Sequence, residues 1–172
     1  DKNYISGIQN KIQSLNLNDK IYLTEENVIN VEEYMQCSDI FVLPSRQEGF
    51  PISIIEAMSS GLAVVASDIP EISRAQIENG KDGFVFPVGD TGQLALTIEK
   101  LIEQKERVSQ IGKIARIKAM EKWSTETVDH AYRNLYESLT TPFIDSVRKK
   151  KDSRRIKILY SISSLSTSEG GR

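Results

Sequence analysis

Residues 39–67, DIFVLPSRQEGFPISIIEAMSSGLAVVAS, decide how this chain folds. Ile40 to Leu43 is an unbroken apolar run with β-branched Ile40 and Val42, the pattern of a strand covered on both faces. Pro44 stops it. After a polar loop, Pro51 suits the first turn of a helix, where its missing N–H would be unpaired in any case. The helix carries Ile54, Ile55 and Met58, and Gly61 closes it as a C-cap. Leu62 to Ala66 is then a second all-apolar strand. Apolar strands joined through a helix predict a parallel α/β sheet flanked by helices. In such sheets ligands bind at the carboxyl ends of the strands, so chemistry is expected in the loop Pro44 to Pro51.

The flanking sequence extends the same alternation. Upstream, Ile5, Ile8, Ile12 and Leu15 share one helical face. A short strand is expected at Ile21 to Leu23, then a polar loop from Thr24 to Asn30. Asn30 with Glu33 has the form of a capping box and starts a helix through Cys37. Downstream, a short helix spans Glu71 to Ile77, Asn79-Gly80 ends it, and Gly83 to Phe86 is a third strand. Asp90 with Gln93 caps a helix bearing Leu94, Ile98, Leu101 and Ile102. Two further helices are expected at Glu106 to Lys122 and Thr125 to Leu139, with Ser124 as the cap between them.

The 172 residues suffice for one ordinary domain with its own core, and 39% of them are hydrophobic. The apolar runs are far too short to cross a bilayer. A single cysteine, Cys37, excludes an internal disulfide and reads as a buried small hydrophobe. With the single His130, a mid-helix surface or packing residue, it leaves no zinc cluster of the usual spacing. Asp1 to Ser6 has none of the features of a signal peptide, and a start at Asp1 reads as a cut inside a longer protein. Net charge is −2, yet Arg148 to Lys157 holds seven basic residues against Asp152, leaving −8 on the rest. An acidic body argues against nucleic-acid binding. The basic run reads as a solvated linker or as a contact with anionic lipid.

Glu48 lies in the crevice loop, and Glu56 follows eight residues later on the helix. Between them, the N–H groups of Ile52 and Ser53 at the helix start, with the helix dipole, favour an anion such as a diphosphate. A carboxylate one turn further in can accept bidentate hydrogen bonds from ribose hydroxyls, and a loop carboxylate can do the same for a sugar. Spacing alone does not separate this arrangement from a surface loop acid and a solvated helix acid.

The full string is more specific. Asp39-Ile-Phe-Val-Leu-Pro-Ser45, Glu48-Gly-Phe-Pro51, Glu56-Ala-Met58 and Gly61-Leu-Ala-Val-Val-Ala-Ser67 resemble the donor-binding C-terminal domain of retaining GT-B glycosyltransferases, family 4 or glycosyl transferases group 1. Pro70-Glu71, Asn79-Gly80, Gly83-Phe84 and Gly89-Asp90 fall in the same register, and the resemblance spans roughly Ile5 to Leu139. It implies a Rossmann-like sheet forming one half of a GT-B fold, with its first strand upstream of Asp1. By the same resemblance, Glu48 lies at the donor sugar near the reacting carbon as the catalytic candidate. Gly49, Phe50 and Pro51 present backbone to the sugar, Ile52 and Ser53 to the diphosphate, and Glu56 binds the ribose. Pro51 departs from the glycine common there and has no N–H to give.

The implied donor is a nucleotide-diphosphate sugar, with no cofactor and no metal, and the implied acceptor is a glycan or lipid-linked sugar. The expected setting is cytoplasmic, at the inner face of the membrane, with peripheral contact there. Expected organisation is a donor-binding domain over 1–140, a basic linker over 141–155, and at 156–172 the first strand and Gly-rich loop of a second transferase unit. The parent would be a hexosyltransferase, and this chain alone inactive. Two alternatives stand beside it: a non-catalytic nucleotide-sugar-binding module, and a GT-B-fold sugar-nucleotide epimerase. Trp123 reads as an anchor for the last helix.

Overall fold

The computed structural model describes residues 2–24 and 28–149. In chain order the elements are α1 (Lys2–Ser14), α2 (Val31–Gln36), β1 (Ile40–Leu43), α3 (Ile52–Ser59), β2 (Ala63–Ser67), α4 (Pro70–Ser73), β3 (Phe84–Phe86), α5 (Thr91–Glu103), α6 (Lys105–Trp123) and α7 (Thr125–Lys149). The strands form one parallel sheet in the order β1-β2-β3, with Ile40 opposite Ala63 and Val65 opposite Phe84. This is the parallel α/β arrangement that the two apolar runs predict and the Rossmann-like sheet that the resemblance implies.

Every residue of β2 is buried, because the sheet has a core on each face. Val64 and Ala66 point to one side, against Ile54, Ala57 and Met58 of α3 and Ala115 and Ala119 of α6. Ala63 and Val65 point to the other, against Leu101 of α5 and Val108 and Ile111 of α6. Strand alternation thus serves two hydrophobic layers, which is why the sequence of a central strand shows no polar face.

The turn from α3 into β2 explains two glycines at once. Gly61 has φ +83°, the left-handed conformation that side chains resist. Its N–H donates to Met58 O, and Leu62 N–H to Ala57 O, the paired bonds that end a helix at a left-handed residue. Helix α6 lies directly on this turn at Gly112, where a Cβ would fall 1.9 Å from Gly61 O. Further along α6, Lys118 Nζ donates to Asp82 Oδ2 at 2.6 Å, and Asp82 Oδ1 accepts Glu78 N–H at 2.8 Å. Asp82 is only 2% exposed, so this ion pair pins the loop before β3 to the helix.

Several expectations are corrected. Ile21 to Leu23 is irregular and Tyr22 is 86% exposed. A strand exists only by pairing, and among the described residues none lies beside this segment. Strand β1 packs into a core layer on each face, Phe41 and Leu43 on one and Ile40 and Val42 on the other, but pairing with β2 alone leaves it half-buried. Cys37 is exposed, since α2 ends before it and turns its core-facing position over to Met35. Asn30 occupies the cap position of α2, but its side chain bonds to the Glu33 carboxylate and not to a backbone N–H. Pro51 is the N-cap of α3, one residue before its first turn, and the C-cap is Ser60 with Gly61 following. Helix α4 is four residues long, far shorter than the span to Ile77. Of the capping box at Asp90 the cap half is present, its carboxylate accepting Gln93 N–H at 2.9 Å, whereas Asp90 N–H donates to Pro87 O and not to the Gln93 side chain. So is the Ser124 cap, accepting Thr127 N–H at 3.2 Å.

The described residues up to Thr127 belong to one compact unit, and those from Val128 to a second. The described part of the second is the remainder of α7, carrying an Arg133–Asp129 ion pair, stacked Tyr132 and Tyr136, and His130 bonded to Asn134. Helix α7 continues past Leu139 through Pro142 to Lys149, so the first part of the expected linker is helical. A proline within a helix deletes one backbone bond but does not forbid continuation. The expected strand and Gly-rich loop at 156–172 lie outside the described residues.

Candidate functional site

In a parallel sheet all carboxyl ends share one edge, here Leu43, Ser67 and Phe86. The loop 44–51 leaves β1 at that edge and enters α3, bringing the seven candidates Glu48, Gly49, Phe50, Pro51, Ile52, Ser53 and Glu56 onto one continuous turn-and-helix segment. Glu48 is half-buried, and its Oε1 accepts a hydrogen bond from Ser45 Oγ at 2.6 Å. That bond holds the carboxylate close to the loop and leaves its other oxygen for a ligand. No heavy atom lies within 4 Å of where a Gly49 Cβ would be, so the backbone here is open to approach. The Phe50 ring, 49% exposed, meets Trp123 edge-on with centroids 6.4 Å apart.

Pro51 is buried, with φ −68° and ψ 108°. Its carbonyl accepts Ile54 N–H at 3.2 Å, the first bond of the helix, and also Gln76 Nε2 at 3.0 Å. The N–H groups of Ile52 and Ser53 belong to the first turn of α3 and have no carbonyl four residues back within the helix. With the helix dipole they form the positive end that suits a phosphate oxygen. Glu56, one turn on, is exposed and lines a cavity of about 210 Å³ with Val31, Glu32 and Met35 of α2 and with Ser60. The apolar walls are Val31 and Met35, the polar ones carboxylates and a hydroxyl, a lining suited to a hydroxylated ring with an apolar face.

Three contacts that shape this loop were not among the candidates. Ser45 stands three residues before Glu48, and that spacing was the available signal. Trp123, expected as an anchor of the last helix, packs against the core and meets the Phe50 ring edge-on. Gln76 carried no signal, being 25 residues from its partner. Among the described residues no group of three His, Cys, Asp or Glu is arranged to hold a metal ion. No described helix is long and apolar enough to cross a membrane.

A Rossmann-like sheet with an acid-bearing loop at its carboxyl edge and a helix start beside it agrees with one half of a GT-B glycosyltransferase fold. The sequence pattern of glycosyl transferases group 1 matches residues 1–118, and the chain belongs to that family. It is similar to the N,N'-diacetylbacillosaminyl-diphospho-undecaprenol alpha-1,3-N-acetylgalactosaminyltransferase of Campylobacter jejuni, 33% identical over 63% of this chain and 28% of that protein. Among solved structures it is similar to Alr3699/HepE of Anabaena, crystallised with UDP (TM-score 0.73, 23% identity, 80% of this chain and 37% of that one). It is also similar to TarM of S. aureus in a complex that includes UDP (TM-score 0.67, 28% identity, 76% and 26%). The chain spans only 16% to 32% of the length of four curated relatives that it matches.

Proposed function

We propose that this chain is the donor-binding part of a retaining glycosyltransferase that uses a nucleotide-diphosphate sugar. The nucleoside enters the cavity between α2 and α3, its ring against Val31 and Met35, and Glu56 accepts hydrogen bonds from the two ribose hydroxyls. The diphosphate lies on the N–H groups of Ile52 and Ser53. The sugar turns back over Gly49 and Phe50, with the free Glu48 oxygen beside it near the reacting carbon. Charge neutralisation by main-chain N–H groups and the helix dipole makes a metal ion unnecessary in this reading.

One observation carries the proposal: Glu48, the start of α3 and Glu56 follow one another on a single segment, with a cavity of about 210 Å³ at the Glu56 end. The UDP held by TarM and the lipid-diphosphate acceptor in the name of the Campylobacter relative support a nucleotide donor and a lipid-linked or glycan acceptor. A cytoplasmic setting at the inner membrane face accords with both substrate classes. The E-x7-E spacing with Glu-Gly-Phe favours transfer over epimerisation. Titration of the chain with UDP, GDP and ADP and their sugar conjugates tests the reading, with Glu56→Gln alongside. Loss of a charge-assisted contact of this kind costs about 1.5–3 kcal/mol, roughly ten- to a hundred-fold in affinity. Unchanged affinity in Glu56→Gln would return Glu56 to a solvated helix acid.

A further inference from the structure

We infer that Gln76 is a positioning residue of the donor site: by holding the Pro51 carbonyl it fixes the sugar-facing loop against the core. The proposal rests on the donor-site reading above. Gln76 sits after α4, between Ile72 and Ile77, both buried in the core, and is itself 0% exposed. Its Nε2 donates to Pro51 O at 3.0 Å, while its Oε1 is buried without a hydrogen-bond partner. The amide therefore has one working orientation. Turned over, it would set one acceptor against another.

A position needing only filled volume would be better served by Leu or Met, since a buried amide oxygen without a partner is unfavourable. What the glutamine supplies instead is a second hydrogen bond to the one carbonyl that ends the loop and begins α3. The loop is otherwise braced within itself by the Ser45–Glu48 bond and held to α6 by the contact of Phe50 with Trp123. Gln76 adds a tether to the core at Pro51, where the sugar-facing residues meet the helix start. Glu56 lies a full turn further on and is held by the helix itself. Loosening Pro51 should therefore disturb the contacts of the sugar more than those of the nucleoside.

The test compares, within each variant, affinity for a nucleoside diphosphate with affinity for its sugar conjugate. The probes are UDP with UDP-glucose, GDP with GDP-mannose and ADP with ADP-glucose, and the pair that wild type binds best is carried forward. Gln76→Met keeps the volume and removes the donor. It should lose the added affinity due to the sugar by up to about tenfold, the scale of one neutral hydrogen bond, with a much smaller change for the diphosphate alone. Gln76→Glu can donate as the amide does only while its carboxyl is protonated, the form that burial favours, so relative to wild type at the same pH it should keep the increment near about pH 5 and lose it as the acid ionises at higher pH. It carries the test alone if Gln76→Met fails to fold. Equal weakening of both ligands in Gln76→Met, or a Gln76→Glu variant at low pH that lacks the increment, overturns the role of Gln76 while leaving the donor site standing. Wild type that binds none of the probes overturns the donor-site reading, and this proposal with it.

Discussion

Replacing Gly112 by alanine sets two effects of opposite sign against each other. Gly112 lies within α6, where helix propensity alone would make Ala more stable by about 1 kcal/mol. The new methyl, however, would fall 1.9 Å from Gly61 O and 2.9 Å from Gly61 C, both main-chain atoms of a turn locked in the left-handed conformation. Reaching even 3.0 Å from that oxygen requires α6 to retreat by about 1.1 Å. Such a retreat strips contact from Ile111, Ala115 and Ala119, which pack the helix onto both core layers. Overpacking against side chains costs about 1–3 kcal/mol, and a rigid backbone partner puts this case at the upper end. Subtracting the propensity gain leaves a net loss of about 1–2 kcal/mol. Urea unfolding followed by circular dichroism measures it, with Gly7→Ala as the control. Gly7 is also helical, but no heavy atom lies within 4 Å of its Cβ direction, so that change should stabilise by about 0.5–1 kcal/mol. If Gly112→Ala matched Gly7→Ala in sign, the close approach of α6 to the Gly61 turn would not exist as described.

Three further outcomes are expected. Lys118→Met should destabilise the chain by about 3 kcal/mol in the same unfolding assay, because it strands the buried Asp82 carboxylate; combining it with Asp82→Asn should recover a good part of the loss. Nucleotide binding, measured by calorimetry, should be unchanged by EDTA and by added magnesium, and a metal requirement would refute charge neutralisation by the start of α3. Offered labelled nucleotide sugars and lipid or sugar acceptors, the chain alone should transfer nothing. Orienting two reactants can account for about 7–11 kcal/mol of a reaction barrier, and in the proposed function the described residues hold the donor alone.

The fold was legible where it was encoded locally and in duplicate. Both strands flanking α3 are unbroken apolar runs, and Gly61 marks the turn between them by a conformation other residues resist. Glu48, the helix start and Glu56 were legible for the same reason: they are neighbours in sequence, so their proximity needs no tertiary information. What failed was whatever depends on a partner elsewhere. Ile21 to Leu23 has the composition of a strand, yet composition cannot supply the strand beside it. Cys37 has the chemistry of a core residue, but the helix preceding it stops one position earlier and points Met35 inward. The Trp123–Phe50 and Gln76–Pro51 contacts join positions far apart in the chain, and neither side chain type announces its target.

The half-buried first strand carries a consequence for anyone handling the protein. Among the described residues β1 is paired on one side only, so its other side presents a row of main-chain donors and acceptors along Ile40-Phe-Val-Leu43. Those four residues have no charge to repel a neighbour, and only Pro44 interrupts the run. Natural sheets guard such borders with lysines, prolines or bulges, because an unguarded one templates the addition of strands from other molecules. Concentrated solutions of this chain should therefore associate through β1. A lysine in place of Val42 would act as a gatekeeper there, at some expense to the layer it helps to cover.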